Sequence, residues 1–349
     1  MRILSVGTAL PPHRYEQEEL IAAFTRFWGK THHNLARVEQ MHRAVQVGGR
    51  NLALSMAEYE ALDGFGASNR AWIRVGLDLA ELAVQRALTA AGLAPSEVDL
   101  VVFTTVTGIA APSLDARLAN RLGFRPDVKR MPLFGLGCVA GAAGVARLHD
   151  YLKAWPEHVA LLISVELCSL TLQPNDLSVQ NLIATGLFGD GAAAVVAVGD
   201  ARPGDGPRVR ASKSRFYPNS EEVMGWEVGD RGFQIVLSST VPDLVTRYLA
   251  DDVASFLAEH GLVRDDITSW VAHPGGPKVL RAFEATLGLS EDDLALTWRS
   301  LRDIGNLSSS SVLFVLQDTL ANRRPPAGAL GLMLAMGPGF CAELVLLEW

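Results

Sequence analysis

The chain has 349 residues, 49% hydrophobic and 20% charged, with 32 glycines and 17 prolines spread along it. That length can bury large cores and suggests two domains, and the composition is globular rather than disordered or fibrous. A net charge of −7 with no basic run argues against nucleic acid, whose phosphates require concentrated Lys and Arg.

The chain opens on a short apolar stretch that meets Pro11-Pro12 and turns acidic, predicting a strand and loop rather than a signal peptide. Residues 25–70 read as an insertion carrying His32-His33 and several arginines, with a loop at DGFGASN (63–69). VQRALTAAGLAPSEVDLVVFTT (84–105) predicts an amphipathic helix closed at Gly92-Leu93, an acidic turn and an apolar strand. In MPLFGLGCVAGAAGVARLHDYL, Gly135 and Gly137 permit a sharp turn that places Cys138 at the start of a small-residue helix. HVALLIS (158–164) and FGDGAAAVVAV (188–198) are apolar nearly throughout, as in sheets covered on both faces. GDARPGDGPRVR (199–210) reads as a linker, dividing 1–205 from 206–349.

Beyond it, VASFLAEHGLVRDDITSWVAHP (253–274) repeats the helix–glycine–acidic turn–strand order of 84–105. The same spacing, within one residue, pairs LGC (136–138) with IGN (304–306). GALGLML (328–334) and GFCAELVLL (339–347) predict two buried strands joined at Gly337-Pro338-Gly339, and correspond to 158–164 and 188–198. Solenoid repeats run only about 20 to 50 residues, so this longer repeat predicts two similar α/β halves packed face to face. No apolar run reaches the roughly 18 residues of a membrane span.

Cys138, Cys168 and Cys341 are odd in number and lack CxxC spacing, so neither a disulfide framework nor a zinc site is expected, and a reducing cytosol fits. Cys138 stands where a helix N-terminus favours thiolate; Cys168 and Cys341 read as packing residues, with a place on a pocket wall as the alternative for Cys168, which follows a strand end. Gly135-x-Gly137-x-x-Ala140 also fits a dinucleotide fingerprint, but DVKRMPLF is a poor first strand and no acidic residue ends a second one about 20 positions on. His273 ends an apolar strand before a Pro-Gly-Gly-Pro turn. Asn306 begins a helix, where it serves either as an N-cap or as a site group. Its place in the second half is that of Cys138 in the first, which would bring both helix starts to one point. A protonated imidazole beside the thiol would stabilise a thiolate for attack on an acyl thioester. His and Asn could then donate to the oxygen of an enolate formed as a malonyl unit loses carbon dioxide. No metal or redox cofactor is required.

From RILSVGTALPPH to GPGFCAELVLLEW the chain resembles the type III polyketide synthases of the chalcone-synthase-like superfamily. The resemblance implies an α/β thiolase-like fold, two duplicated halves forming a five-layered αβαβα core. It places the family's catalytic residues on Cys138, His273 in HPGGP and Asn306 in GNLSS, and its gatekeeper phenylalanines on Phe188 and Phe233. Thr105, Thr171, Ser308 and Gly276 are implied at the pocket, with Thr105, Glu166 and Ser308 in the hydrogen-bond network linked to aldol ring closure. Ala111 matches the position that reaches across a homodimer. The substrates implied are an acyl-CoA starter and malonyl-CoA, with no further cofactor, in a cytoplasmic enzyme lacking integral membrane association.

HPGGPK and GPGFCAELVLL are most similar to bacterial members that use fatty acyl starters to make alkylpyrones or alkylresorcinols. The chain departs from the plant pattern of phosphate-gripping residues. Arg37 matches one position, Gln40 and Ala44 replace two, and Arg43, Arg50 and Lys278 are candidate substitutes. Ala335-Met336 stands where the family has Gly-Phe. The competing reading is an initiating ketoacyl synthase that performs one condensation; the phenylalanine pair and GNLSSSSVLF count against it.

Overall fold

A computed structural model describes residues 1–28 and 34–349, so His32 and His33 lie outside the described residues. The first half comprises β1 (Arg2–Ala9), β2 (His13–Glu16), α1 (Gln17–Trp28), α2 (Leu35–Ala44), β3 (Gly49–Leu52) and α3 (Met56–Glu60). It continues with α4 (Gly64–Ala91), β4 (Leu100–Thr105), α5 (Leu114–Leu122), β5 (Lys129–Phe134), α6 (Ala140–Ala154), β6 (Val159–Leu167), α7 (Val179–Leu187) and β7 (Asp190–Val198). The second half comprises β8 (Arg208–Phe216), β9 (Met224–Gly229), β10 (Gly232–Leu237), α8 (Val241–Ala258), β11 (Ile267–Ala272) and α9 (Pro277–Leu287). α10 (Ala295–Ile304), α11 (Ser311–Asn322), β12 (Leu330–Gly337) and β13 (Cys341–Glu348) complete it.

Among the described residues nine strands form one sheet in the order β11-β12-β13-β8-β1-β7-β6-β4-β5. It is two sheets joined at an edge, since β1 and β8 pair only through Arg2 and Arg208. Counted from that seam, β1-β7-β6-β4 and β8-β13-β12-β11 have the same order and the same switch from antiparallel to parallel pairing. β5 extends the first half alone. The repeated helix endings also coincide: Gly92 (φ 66°) and Gly261 (φ 70°) adopt the left-handed conformation, and Leu93 and Leu262 each donate back to the helix at 3.0 Å.

Side-chain alternation turns these sheets into layers. Leu161, Ile163 and Val165 of β6 pack with α4, while Ala160 and Leu162 face α6 and α11. In β12, Met333 and Ala335 face the same two helices, and Leu332, Leu334 and Met336 face outward to α8 and α9. The order α4, sheet, α6 with α11, sheet, α8 with α9 is the expected αβαβα core. Small residues make the central layer possible. A Cβ on Gly141 would stand 2.3 Å from the Ser309 carbonyl oxygen and 2.6 Å from Val312.

The insertion differs from expectation. DGFGASN is no loop: it forms the first turns of α4, a helix of 28 residues whose buried stripe from Ala71 onward covers the sheet. Phe65 in that first turn packs edge-on against Phe233 at 5.5 Å, a tertiary contact that outweighs the low helix propensity of its two glycines.

Candidate active site

Cys138 lies in a 3₁₀ turn, Gly137–Val139, that runs directly into α6. Gly137 must be glycine: its φ is 54°, and a Cβ there would meet Pro338 at 2.8 Å. His273 follows β11 and is fixed by its own N–H bonding to Leu334 O at 2.9 Å. Asn306 precedes a second 3₁₀ turn, Ser308–Ser310, that feeds α11. A parallel bridge to Phe188 holds it, with Asn306 N–H donating to Leu187 O at 3.0 Å and Gly189 N–H to Asn306 O at 2.9 Å. The two central helices thus start side by side, and Cys138, His273 and Asn306 line one cavity of about 1270 Å³. They are 8%, 3% and 2% exposed.

Asn306 is bonded as a cap and also stands on the cavity wall. Its Oδ1 accepts from Ser308 N–H at 2.8 Å, as a cap would, and its Nδ2 points to Gly275 O at 3.4 Å. The Cys138 thiol donates to Ser308 Oγ at 3.8 Å, and a bond from the Asn306 side chain also favours its ionised form. Burial nevertheless dominates, pushing the thiol up to about 12 and the His273 imidazole down to about 3. The expected thiolate is therefore not what the buried cysteine favours by itself. Among the described residues neither ring nitrogen of His273 has a hydrogen-bond partner.

The wall also carries Phe188, Thr171, Gly276, Lys278 and Ser308. The other residues lie elsewhere. Phe233 is buried in a cluster with Phe65, Phe134 and Trp226, and Trp226 reaches the wall where Phe233 does not. Thr105 and Glu166 sit one layer behind the wall. Glu166 accepts from Thr105 (3.4 Å), Thr107 (2.9 Å), the Val106 N–H (3.1 Å) and Ser309, while Ser308 turns to Cys138 instead. Ser308 has φ 48°, and this left-handed backbone aims its hydroxyl at the sulfur rather than at the carboxylate. Burial raises the Glu166 carboxyl above its ordinary range. Ala111 is exposed, away from its own chain's cavity.

Among the basic candidates, Arg37 is exposed on α2 and off the wall. Arg43 is held by Glu18 (2.9 Å) and Glu39 (3.2 Å). Arg50 is buried, donates to Phe188 O at 2.7 Å, and is pushed by burial down to about 10. Lys278 remains at the mouth, joined by Arg26, which no sequence motif had marked. The apolar wall from Leu20, Phe24 and Met41 was likewise missed, because an amphipathic stripe looks the same whether it faces a core or a cavity. Cys168 takes the alternative open to a residue after a strand end and lines the cavity. Among the described residues no cluster of three His, Cys, Asp or Glu side chains could hold a metal, and no helix is long and apolar enough to cross a membrane.

A cysteine at a helix start, facing a histidine and an asparagine across the seam of a duplicated αβαβα core, is the arrangement of an acyl-transferring enzyme. Residues 1–201 match the family described as chalcone and stilbene synthases, N-terminal domain, and residues 208–348 match its C-terminal domain. The chain is 53% identical to a 1,3,6,8-tetrahydroxynaphthalene synthase of Streptomyces peucetius subsp. caesius, over 99% of this chain and 93% of that protein. It is 38% identical to a putative chalcone synthase of Bacillus subtilis, over 99% and 98%. The crystal structure of the Streptomyces coelicolor 1,3,6,8-tetrahydroxynaphthalene synthase, a bacterial type III polyketide synthase, superposes with a TM-score of 0.95 at 31% identity, covering 100% of this chain and 99% of that one. The chain belongs to the chalcone and stilbene synthase family and is a type III polyketide synthase, an enzyme of decarboxylative Claisen condensation.

Proposed function

We propose that this polyketide synthase primes and extends chains from malonyl-CoA and closes the product to a hydroxylated naphthalene. Cys138 attacks the starter thioester and releases the coenzyme A thiol. A second malonyl thioester loses carbon dioxide, and His273 and Asn306 stabilise the oxygen of the resulting enolate. The enolate carbon attacks the acyl group on Cys138, a carbon–carbon bond forms, and the sulfur leaves with the electron pair. What carries this reading is the meeting of Cys138, His273 and Asn306 on one cavity wall, joined to 53% identity with a naphthalene-forming synthase.

A second reading has a fatty acyl starter and an alkylpyrone or alkylresorcinol product. A cavity of about 1270 Å³ with Leu20, Phe24, Met41 and Ile183 on its wall favours it. Mass spectrometry of products from malonyl-CoA alone, then with starters from acetyl- to long-chain acyl-CoA, separates the two. A naphthalene from malonyl-CoA alone supports the first; product only with long starters replaces it with the second. A linear ketoacyl thioester from every starter would sink both.

The same reading divides the chain near 205–206, the first part supplying the nucleophile and the second the His and Asn. It places the coenzyme A phosphates against Lys278 and Arg26, and the enzyme in the cytoplasm. It also makes the enzyme a homodimer. β5 is the sheet's edge, with Met131 40% and Phe134 54% exposed, and the Ala111 loop is tied beside it through Arg130 and Ser113.

A further inference from the structure

α3 supplies Met56, Tyr59 and Glu60 to the cavity wall, yet none of its residues is buried. Apolar burial therefore holds this segment weakly; of α3, only the Tyr59 ring packs at the edge of the neighbouring core. Polar contacts fix it instead, a His13 Nε2–Glu58 contact at 4.0 Å and two tyrosine hydroxyls. Met56 N–H donates to Tyr15 Oη at 3.2 Å, and Tyr59 Oη is hydrogen-bonded to Ser169 Oγ, which donates to Asp190.

The far end of this chain of bonds is immobile. Asp190 opens β7 fully buried and also accepts from Ser169 N–H at 2.8 Å and Ala53 N–H at 2.6 Å. Because Ser169 spends its proton on the carboxylate, Tyr59 must be the donor to Ser169. The hydroxyl of Tyr59 is thus the outermost link, and removing it strands no buried charge. Ser169 and Cys168 share the cavity wall with Cys138, so the spacing between α3 and the 3₁₀ turn Cys168–Thr171 that carries them sets the room beside the sulfur.

We propose that the Tyr59 hydroxyl is a latch that holds α3 against Ser169 and thereby limits the length of acyl chain accepted beside Cys138. This rests on the polyketide-synthase reading and adds a specificity-determining position to it. Tyr59 is a positioning residue, acting through the wall it fixes.

The test compares wild type, Tyr59→Phe and Ser169→Ala on a series of acyl-CoA starters with malonyl-CoA. The readouts are the ratio of kcat/KM for long over short starters, the product lengths, and Tm. Opening the latch should raise that ratio by roughly twofold to tenfold, the factor one ordinary hydrogen bond supplies, and shift products toward longer chains in both variants. Ser169→Ala breaks the chain at its middle link and keeps the test valid if the tyrosine variant folds poorly. Unchanged ratios and product lengths in both variants overturn the latch, even if Tm falls, because a purely structural bond would move Tm alone. A wild type that condenses no CoA ester sinks the polyketide reading and the latch together.

Discussion

Ser308 donates its backbone N–H to Asn306 and receives the Cys138 thiol at 3.8 Å, while the next residue, Ser309, bonds the buried carboxylate of Glu166. Two consecutive serines therefore serve opposite faces of the site. Ser309→Ala takes a donor from a fully buried carboxylate and should cost about 1.5–3 kcal/mol of stability, as bonds to charged groups do. Ser308→Ala should cost less and instead slow alkylation of Cys138, since it removes a bond that favours the ionised sulfur. Urea unfolding and iodoacetamide labelling of both variants check this; equal losses of stability would contradict it.

His273 and Cys138 share one cavity wall and are each driven neutral by burial. With His273→Ala no imidazole remains on the wall, and the burial that pushes the thiol up to about 12 outweighs the bonds from Ser308 and Asn306. The thiolate fraction should then rise about tenfold for each pH unit between 7 and 9, far below that value. If His273, on the same cavity wall, takes the thiol proton in the wild type, labelling at pH 7 should be at least about tenfold faster there and depend less on pH. Identical pH profiles for the two proteins would remove His273 from this part.

The sequence announces the Cys138, His273 and Asn306 set because each stands at a place the backbone marks: a Gly-x-Gly turn, a strand end before Pro-Gly-Gly-Pro, and a duplicated helix start. The layered fold is legible for a similar reason, since strands apolar on both faces demand helices on both faces. What escaped depends on geometry that residue type does not encode. The exchange of Ser308 for Ser309 at Glu166 follows from one φ of 48°. Phe233 leaves the cavity wall because Phe65, distant in sequence, closes over it. Arg43 is occupied by Glu18, from another helix. DGFGASN reads as a turn locally and is helix because α4 has a sheet to cover.

Gly141 holds α6 and α11 together at a distance only a hydrogen permits. The atoms its Cβ would strike are the Ser309 backbone and the Val312 side chain, at 2.3 and 2.6 Å, and backbone cannot move aside cheaply. Gly141→Ala should cost about 1–3 kcal/mol or more from overpacking. Because the displaced segment is the one after Asn306 and Ser308, condensation should fall further than the stability loss explains. Calorimetry together with turnover at a temperature where the variant is fully folded tests it; a folded variant with wild-type turnover would show that the helix starts tolerate separation.

Coenzyme A carries phosphates, and the cavity mouth offers Lys278 on α9 and Arg26 on α1, neither in an ion pair with a described acid. Arg43, by contrast, already has two carboxylate partners. Reversing a free charge at the mouth should weaken capture of the thioester without altering the distance between the sulfur and its partners. Lys278→Glu and Arg26→Glu should each raise KM for malonyl-CoA by about threefold to tenfold with little change in kcat, the size expected of exposed charge contacts. The effect should shrink as ionic strength rises and the screening length drops below about 10 Å. Arg43→Glu should raise KM less than either, because that side chain is off the wall and already neutralised. If Arg43→Glu has the largest effect, the phosphates sit along α2 and not at Lys278; if kcat falls while KM stays fixed, the two mouth residues act on chemistry rather than on capture.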